Sequence, residues 1–320
     1  MIDSLSQIVE TAKELGPARI AVAVANEPDV LAGLQLAETS GLAIPILIGN
    51  PDRIRSVAKS VGYTLSRASI VEAHNEEEAI RKAIDLVRSG EADLLMKGKV
   101  TTSSLIHGVL DRATGIRANS LLSQVIVFEL PTSTRLMLLS DAAINIAPSL
   151  EQKADICRNA IKVARALGIE NPRLALLAAL EFVTSAMPAT VDAAALTIMN
   201  RRGQIQDAYL EGPIALDVPL SSFAADRKSI KSPLVENTDV FILPNIEAAN
   251  ILFRAILYLA QGQSAGIVVG AQVPLVLLSR AETPETKVRS IALARLVQMF
   301  DHDSSTIGAA SDATSRASYA

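Results

Sequence analysis

Short apolar runs and amphipathic stretches alternate through the first third of the chain. The amphipathic stretches repeat their apolar positions every three or four residues, as helices do. Continuous apolar strands separated by such helices are typical of a mostly parallel sheet covered on both faces. The predicted strands here are Arg19–Ala25, Ile44–Gly49, Ser69–Glu72 and Asp93–Lys97, and the helices between them are Val30–Ser40, Pro51–Val61 and Glu76–Ser89.

The pattern changes near Leu122. Val125–Phe128 and Leu136–Leu139 are separated by a short polar stretch, which indicates a hairpin-like or edge pairing. Strands and helices then alternate again, with strands predicted at Leu174–Leu180, Ile205–Tyr209, Val240–Leu243, Gly266–Val269 and Pro274–Leu278. A chain of 320 residues exceeds the size at which one core usually stops growing. We therefore predict two doubly wound α/β domains with a cleft between them, residues 1–122 plus 277–320 and residues 123–276.

Composition narrows the class of protein. Apolar residues make up 49% of the chain and charged residues 20%, as in a well-packed globular protein. A net charge of −4 argues against general nucleic-acid binding. No apolar run reaches the length of a bilayer span, and the first residues form an acidic amphipathic stretch unlike an export signal. A cytoplasmic enzyme that acts without a membrane is the expectation.

The chain has one cysteine, which excludes an intramolecular disulfide framework. Cys157 shares one helical face with Ala160, Ile161 and Ala164. A thiol on an apolar face is expected to be buried and inert, so we predict a core residue and not a catalytic nucleophile.

Ala271–Lys287 carries the strongest chemical signal. Its apolar run stops at Ser279 and Arg280, and Glu282 and Glu285 follow. Buried parallel strands present their chemistry at their carboxyl ends, so a hydroxyl, a guanidinium and two carboxylates there predict a site for an anionic substrate. The same residues also read as a helix start, with a threonine cap before a proline. The two interpretations are compatible.

Two further strand-to-helix loops are candidates. In the first, Gly98 allows close backbone approach, Lys99 supplies charge, and Thr101 and Thr102 supply hydroxyls beside helix N–H groups. An ordinary capped helix start explains that loop equally well. In the second, the amides of Asn245 and Asn250 follow a predicted strand, where they could contact phosphate or a carbonyl. Asparagine is also a common cap.

Several chemistries lack their sequence signatures. The three histidines, His74, His107 and His302, are scattered, and none pairs with a cysteine or with another histidine at metal-ligand spacing. The string Gly262–Gly266 matches G-x-S-x-G, but it precedes a predicted strand, whereas the elbow of serine hydrolases follows one. The G-x-G-x-x-G fingerprint of dinucleotide-binding folds does not occur in the chain. No metal site is predicted.

Taken together, the motifs resemble the phosphate acetyltransferase and phosphate butyryltransferase family, and the butyryl-type branch more closely. The resemblance rests on strings that follow in order from Leu94 to Ala294: LLMKGKVTT, SQVIVFELP, SDAAINIAPSLEQKADI, LGIENP, MPATVDAAAL, EGPIALD, LPNIEAAN and VVGAQVPLVLLSRAETPETKVRSIALA. It implies reversible acyl transfer from acyl-CoA to phosphate, giving acyl phosphate and CoA. It also implies a fold like that of the isocitrate and isopropylmalate dehydrogenases, CoA as co-substrate, no bound metal or prosthetic group, and a homodimer or a larger homo-oligomer.

The resemblance also assigns residues. Ser279 and Arg280 match the active-site Ser–Arg pair, of which the arginine would hold phosphate and the serine would hydrogen-bond the thiol sulfur or the oxyanion. Thr101 and Thr102 match the polar loop across the cleft. Asn245 and Asn250 match the loop that carries amides.

Two positions depart from the acetyl branch. Where that branch has an aspartate thought to deprotonate CoA, this chain has Thr286, which leaves Glu282 and Glu285 as candidate bases. Where the family often has an arginine, this chain has His107, which would contact an anion more weakly unless protonated. A non-catalytic sensor of CoA or acyl phosphate and a metal-dependent decarboxylating dehydrogenase therefore stay as alternatives. Acyl-chain preference, physiological direction and oligomer size are left open.

Overall fold

The computed structural model describes residues 1–118, 120–279 and 282–317, with residues 303–317 described by their backbone alone. The described residues form one mixed α/β structure around a single eleven-stranded sheet. The strands are β1 Ala18–Ala23, β2 Ala43–Gly49, β3 Ser69–Glu72, β4 Leu94–Lys97, β5 Ser123–Glu129, β6 Met137–Ser140, β7 Arg173–Leu177, β8 Tyr209–Ile214, β9 Val240–Ile242, β10 Gln263–Val269 and β11 Leu275–Val276. The helices are α1 Leu5–Glu14, α2 Pro28–Thr39, α3 Pro51–Ser60, α4 Glu76–Arg88, α5 Thr102–Leu110, α6 Leu150–Ala166, α7 Pro188–Arg201, α8 Asp217–Leu220, α9 Ser222–Arg227, α10 Ile246–Tyr258 and α11 Pro284–Ala317.

Strand direction reverses in the middle of the sheet. The spatial order is β3-β2-β1-β4-β11-β10-β5-β6-β9-β7-β8. The first five strands are mutually parallel, and so are the last four. Between these groups, β10 pairs antiparallel with β11 and β5, and β5 pairs antiparallel with β6. Crevices of open α/β sheets form where the strand order or direction switches, so this centre is the expected place for a site.

The hydrophobic core is continuous on one face of the sheet and divided on the other. A shared core, which includes Ile20, Leu138 and Leu293, runs across both halves beneath α1, α2, α6 and α11. On the opposite face, one core around Leu105 and a second around Phe253 are separate. The helices over the second face thus part at mid-sheet, which opens a cleft while the shared core holds the halves together.

Most predicted strands are present, including the antiparallel β5–β6 pair. The strand predicted at Ile205–Tyr209 is wrong, because it lies at Tyr209–Ile214 instead. Asp207 has a left-handed φ of 59°, which a strand does not accommodate. The true strand, β8, tolerates Pro213 because it lies at the edge of the sheet, where an N–H can be lost.

Candidate active site

A cleft of about 290 Å³ opens at mid-sheet, between the two divided cores. Its walls come from segments that follow β4, β6, β9 and β11, together with residues of β5 and β10. Carboxyl ends of strands from both halves therefore converge on it. The lining residues are Lys97, Thr102, Gln124, Ala142, Ala143, Ile144, Asn250, Phe253, Arg254, Val268, Leu277, Leu278, Ser279 and Glu282.

The loop after β4 contributes Lys97 and Thr102. The Nζ of Lys97, the last residue of β4, donates to the carbonyls of Gly98 at 3.3 Å and Val100 at 3.2 Å. Thr101 caps α5 by accepting from the Ser104 N–H at 3.0 Å, so Thr102 stands in the first turn, at the cleft. The capped helix start and the site thus coexist, as the sequence allowed.

The segment after β11 contributes Ser279 and Glu282. Ser279 is exposed to the cleft, and its carbonyl accepts from the Glu282 N–H at 3.2 Å. Thr283 then caps α11 by accepting from the Thr286 N–H at 3.3 Å. Arg280, assigned to phosphate by the resemblance, lies outside the described residues.

The Glu282 side chain is largely buried in the wall of the cleft. Its Oε2 has no hydrogen-bond partner among the described residues, while the ammonium of Lys287 donates to its backbone carbonyl. Burial raises the pKa of the Glu282 carboxyl, and the nearby Arg254 guanidinium opposes that rise. A buried carboxyl with an uncommitted oxygen is suited to accept a proton.

Helix α10 places two polar side chains in the cleft. Asn250 and Arg254 are four residues apart and so lie on the same helical face. The Asn250 amide donates to the Ala142 carbonyl at 3.1 Å, which ties α10 to the loop after β6. Asn245, by contrast, caps α10 through the Ala248 N–H at 2.9 Å and is not part of the cleft lining.

Asp141 shapes the loop that follows β6. Its Oδ1 accepts from the backbone N–H groups of Gln124 at 3.2 Å, Ala143 at 3.0 Å and Ile144 at 3.2 Å, and its Oδ2 accepts from the Asn145 N–H at 3.0 Å. Burial raises the pKa of this carboxyl, and these hydrogen bonds oppose the rise. Asp141 therefore holds the Ala142–Ile144 wall of the cleft in place without lining the cleft itself.

Four of the predicted site residues share the cleft: Thr102, Asn250, Ser279 and Glu282. Thr101 and His107 line a neighbouring cavity of about 710 Å³ between α4 and α5. Glu285 and Thr286 line another cavity, of about 370 Å³, on the far side of Glu282. It is called the outer cavity below. Lys99 is exposed outside the cleft lining. A Cβ on Gly98 would lie 2.2 Å from the carbonyl oxygen of Val24 and 2.6 Å from that of Ala23, so the backbone at the end of β1 already accounts for that glycine.

Sequence reasoning missed Lys97, Gln124, Asp141 and Arg254. Two of them left a signal: Lys97 ends a predicted strand, and Arg254 lies one helical turn beyond Asn250. Asp141 left a weaker signal, because aspartate commonly caps its own following backbone in turns. Gln124 left none, since its place depends on the pairing of β5 with β10.

The thiol of Cys157 is confirmed as a core residue. It is fully buried in α6, and burial raises its pKa to about 12. A thiol in that state is a poor nucleophile near neutral pH. Among the described residues, no group of three or more His, Cys, Asp or Glu side chains is placed to hold a metal ion. No helix in that part of the chain is long and apolar enough to cross a membrane.

Comparisons with known proteins show the family of the chain. The model of the phosphate acetyl/butaryl transferase family matches residues 76–295. The chain is 41% identical to the phosphate butyryltransferase of Clostridium acetobutylicum, over 93% of this chain and 99% of that protein. It is 40% identical to the phosphate acetyltransferase of Thermotoga maritima, over 91% of this chain and 98% of that protein.

Solved structures give the same answer for the fold. A branched-chain phosphotransacylase from Enterococcus faecalis superposes with a TM-score of 0.76 at 29% identity, covering 88% of this chain and 99% of the other. A 4-hydroxythreonine-4-phosphate dehydrogenase from Klebsiella pneumoniae superposes with a TM-score of 0.53 at 11% identity, over 88% and 99% of the two chains. The latter likeness concerns the fold alone and confirms the predicted kinship with dehydrogenase-like folds.

The family match and the similar proteins, which cover nearly the whole chain, define the class of this protein as that of the phosphotransacylases. The chain belongs to the phosphate acetyl/butyryl transferase family, and it is a phosphate acyltransferase.

Proposed function

We propose that this enzyme transfers a short acyl group, from acetyl to butyryl, reversibly between CoA and inorganic phosphate. The observation that carries the proposal is the side chain of Glu282, which is largely buried at the cleft beside Ser279 and has one oxygen that no described residue hydrogen-bonds. A thiol needs a base to become a nucleophile, and this carboxylate is in place to accept its proton.

The proposed reaction is direct transfer in a ternary complex. The CoA thiol gives its proton to Glu282, and the thiolate attacks the acyl-phosphate carbonyl. The new C–S bond forms as the C–O bond to phosphate breaks, and phosphate leaves with that electron pair. Ser279 hydrogen-bonds the sulfur or the developing oxyanion. Arg280, in the role that the resemblance gives it, holds the phosphate.

Glu282 is a better candidate base than Glu285. Glu285 lines the outer cavity, in the first turn of α11, and its own N–H and Thr283 lower the pKa of its carboxyl. A low pKa makes a carboxylate a weak base. Burial raises the pKa of Glu282 and so strengthens it as a base.

The remainder of CoA would extend beyond the cleft. Thr102 lines the cleft and Thr101 lines the neighbouring cavity, so the two spaces adjoin across the first turn of α5. We place the nucleotide end of CoA in that cavity, beside His107, with Lys99 at the exposed loop for its phosphates. In this arrangement Gly98, Asn245 and Thr286 support the substrate loops from outside the cleft.

The proposed whole enzyme is a cytoplasmic homodimer or larger homo-oligomer of two-domain subunits. The divided cores on one face support two domains, proposed as residues 1–122 plus 277–320 and residues 123–276, although Val268, Ala271 and Leu275 of the second pack in the core of the first. Exposed apolar side chains of α10 and the residue after it, Ile251, Tyr258 and Leu259, offer a surface for a second copy. Light scattering after gel filtration measures the assembly, and a monomeric mass would exclude it.

The activity is tested by CoA-dependent thioester formation from acetyl, propionyl and butyryl phosphate, each with and without a chelator. Chelator-resistant turnover with at least one donor is expected, and the ratios of kcat/KM then rank the substrates. CoA binding without turnover of any donor would contradict the proposal and favour the sensor. Turnover that the chelator abolishes would contradict the metal-free mechanism.

A further inference from the structure

Arg254 lies in the wall between the cleft and the outer cavity. It projects from α10 one turn after Asn250 and lines both spaces, as Glu282 also does. Its guanidinium lies 5.2 Å from the ring centroid of Phe253, another cleft residue. The side chain is thus supported by its own helix and reaches the part of the cleft where Glu282 is buried.

The donors of Arg254 are not used by the described part of the protein. No described carboxylate forms an ion pair with its guanidinium, and no described acceptor takes a hydrogen bond from it, although the charge of Arg254 acts on Glu282 at longer range. The two nearby lysines differ in this respect. Lys97 donates to two loop carbonyls, and Lys287 is buried and donates to the Glu282 carbonyl.

A phosphate acyltransferase binds a phosphoryl group in its cleft. A guanidinium beside that cleft, with its donors available, is suited to bind that group. Its planar fork matches two oxygens of a phosphoryl group, and charge-assisted bonds of this kind are about twice as strong as neutral ones. We propose that Arg254 binds the phosphoryl oxygens of inorganic phosphate and of acyl phosphate, in addition to Arg280. This inference rests on the proposed function.

The charge of Arg254 also bears on two negative groups. The phosphoryl group and the Glu282 carboxylate serve the same acyl-transfer step, and like charges at close range repel. The cation of Arg254, whose charge acts on Glu282, would offset that repulsion. Arg254 would therefore contribute to phosphate binding directly and to the ionised state of Glu282 through its field.

The test measures steady-state kinetics of acyl phosphate formation, with inorganic phosphate and acyl-CoA varied separately, in Arg254→Met, Arg254→Lys and Arg289→Met. Arg289 lines the outer cavity but not the cleft, so its variant is a matched control for loss of one arginine. Arg254→Met is expected to raise the KM for phosphate about 10- to 150-fold, the range for a lost charged hydrogen bond, and to change the KM for acyl-CoA less than about 3-fold. Arg254→Lys should recover part of the loss, and Arg289→Met should match the wild type.

Phosphate binding measured by calorimetry gives a second readout that does not depend on turnover, and thermal melting shows whether each variant is folded. An unchanged phosphate KM and Kd in folded Arg254→Met would overturn the inference. Equal losses in Arg254→Met and Arg289→Met would also overturn it, since they would reflect net charge alone. Wild-type protein that turns over no acyl donor would contradict the proposed function instead.

Discussion

At the scale of single residues, the two glutamates after Ser279 have opposite environments. Glu282 is largely buried at the cleft, with its Oε2 inaccessible, and Glu285 is exposed at a helix start. Glu282→Gln should lower kcat by about 10²- to 10⁴-fold, the usual contribution of a general base, with the fold intact. Glu285→Gln should stay within about 3-fold of wild type, because a remote carboxylate makes no such contribution. Steady-state rates and melting temperatures check both variants, and the reverse ranking would assign the base to Glu285.

The pH profile follows from the same carboxyl. Only ionised Glu282 accepts a proton, and burial raises its pKa above the ordinary glutamate value of about 4.3. In the direction of thiol attack, kcat/KM should therefore rise with pH through that raised pKa and level off above it. The positive charge of Arg254 opposes the increase in the pKa of Glu282. Removing that charge should therefore move the pH at which kcat/KM rises to a higher value. The prediction would be contradicted if kcat/KM did not fall on acidification at any pH above the ordinary pKa of glutamate, about 4.3.

A substitution at Asp141 tests whether its carboxylate holds the cleft wall in place. Replacing it by alanine leaves the backbone N–H groups of Gln124, Ala143 and Ile144 without their acceptor. Of these residues Gln124 is the buried one, and a buried unsatisfied group costs about 1–3 kcal/mol. We expect Asp141→Ala to lower the free energy of unfolding by about 1–3 kcal/mol in urea titrations. Asp3→Ala, at an exposed site in the N-terminal segment, is the control. A loss below about 0.5 kcal/mol would show that water replaces the carboxylate.

At the scale of elements, α10 and the strand ends set the size of the apolar part of the cleft. Phe253, Leu277 and Ile144 face the space left beside the polar residues. Phe253→Leu shortens one wall, and each additional buried CH₂ of substrate is worth about 0.8 kcal/mol, or roughly 4-fold in kcat/KM. We expect this variant to shift the butyryl-to-acetyl ratio of kcat/KM toward the longer chain by about that factor per CH₂ accommodated.

Phe223→Leu provides the matched control for that ratio, since Phe223 is exposed on α9. An unchanged ratio in folded Phe253→Leu would place the acyl chain elsewhere in the cleft. The distinction matters because relatives named for butyryl and for acetyl transfer are equally similar to this chain, at 41% and 40% identity.

Local pattern predicted the elements better than their arrangement. Buried strands such as β1 and β4 carry continuous apolar runs, so their positions could be read directly. The predicted position of β8 is too early in the chain for two reasons. Asp207 has a left-handed backbone, and the edge strand contains Gly212 and Pro213, which normally interrupt strands. The antiparallel insertion of β10 beside β5 depends on long-range pairing, and no single segment encodes it. Gln124 could not be predicted for the same reason, because its place depends on that pairing, whereas Arg254 and Asp141 left local signals in the sequence.

At the scale of the whole molecule, the cores explain why a cleft exists. The shared core ties both halves of the sheet through α1, α2, α6 and α11, while the opposite face carries two separate cores. A continuous layer on one side and a gap on the other give two stably positioned walls. Alignment of two reactants between such walls can supply effective molarities of about 10⁵ M or more. The serine and the carboxyl come from the segment after β11 and the arginine comes from α10, and all three lie around one space.

The initial velocity of thioester formation, with CoA and butyryl phosphate varied together in the presence of chelator, tests direct transfer in this cleft. Attack by the thiol on bound acyl phosphate requires both substrates on the enzyme at once, so double-reciprocal plots should intersect. Parallel lines would show a covalent acyl-enzyme and contradict the account. The absence of turnover with every acyl phosphate would contradict it as well.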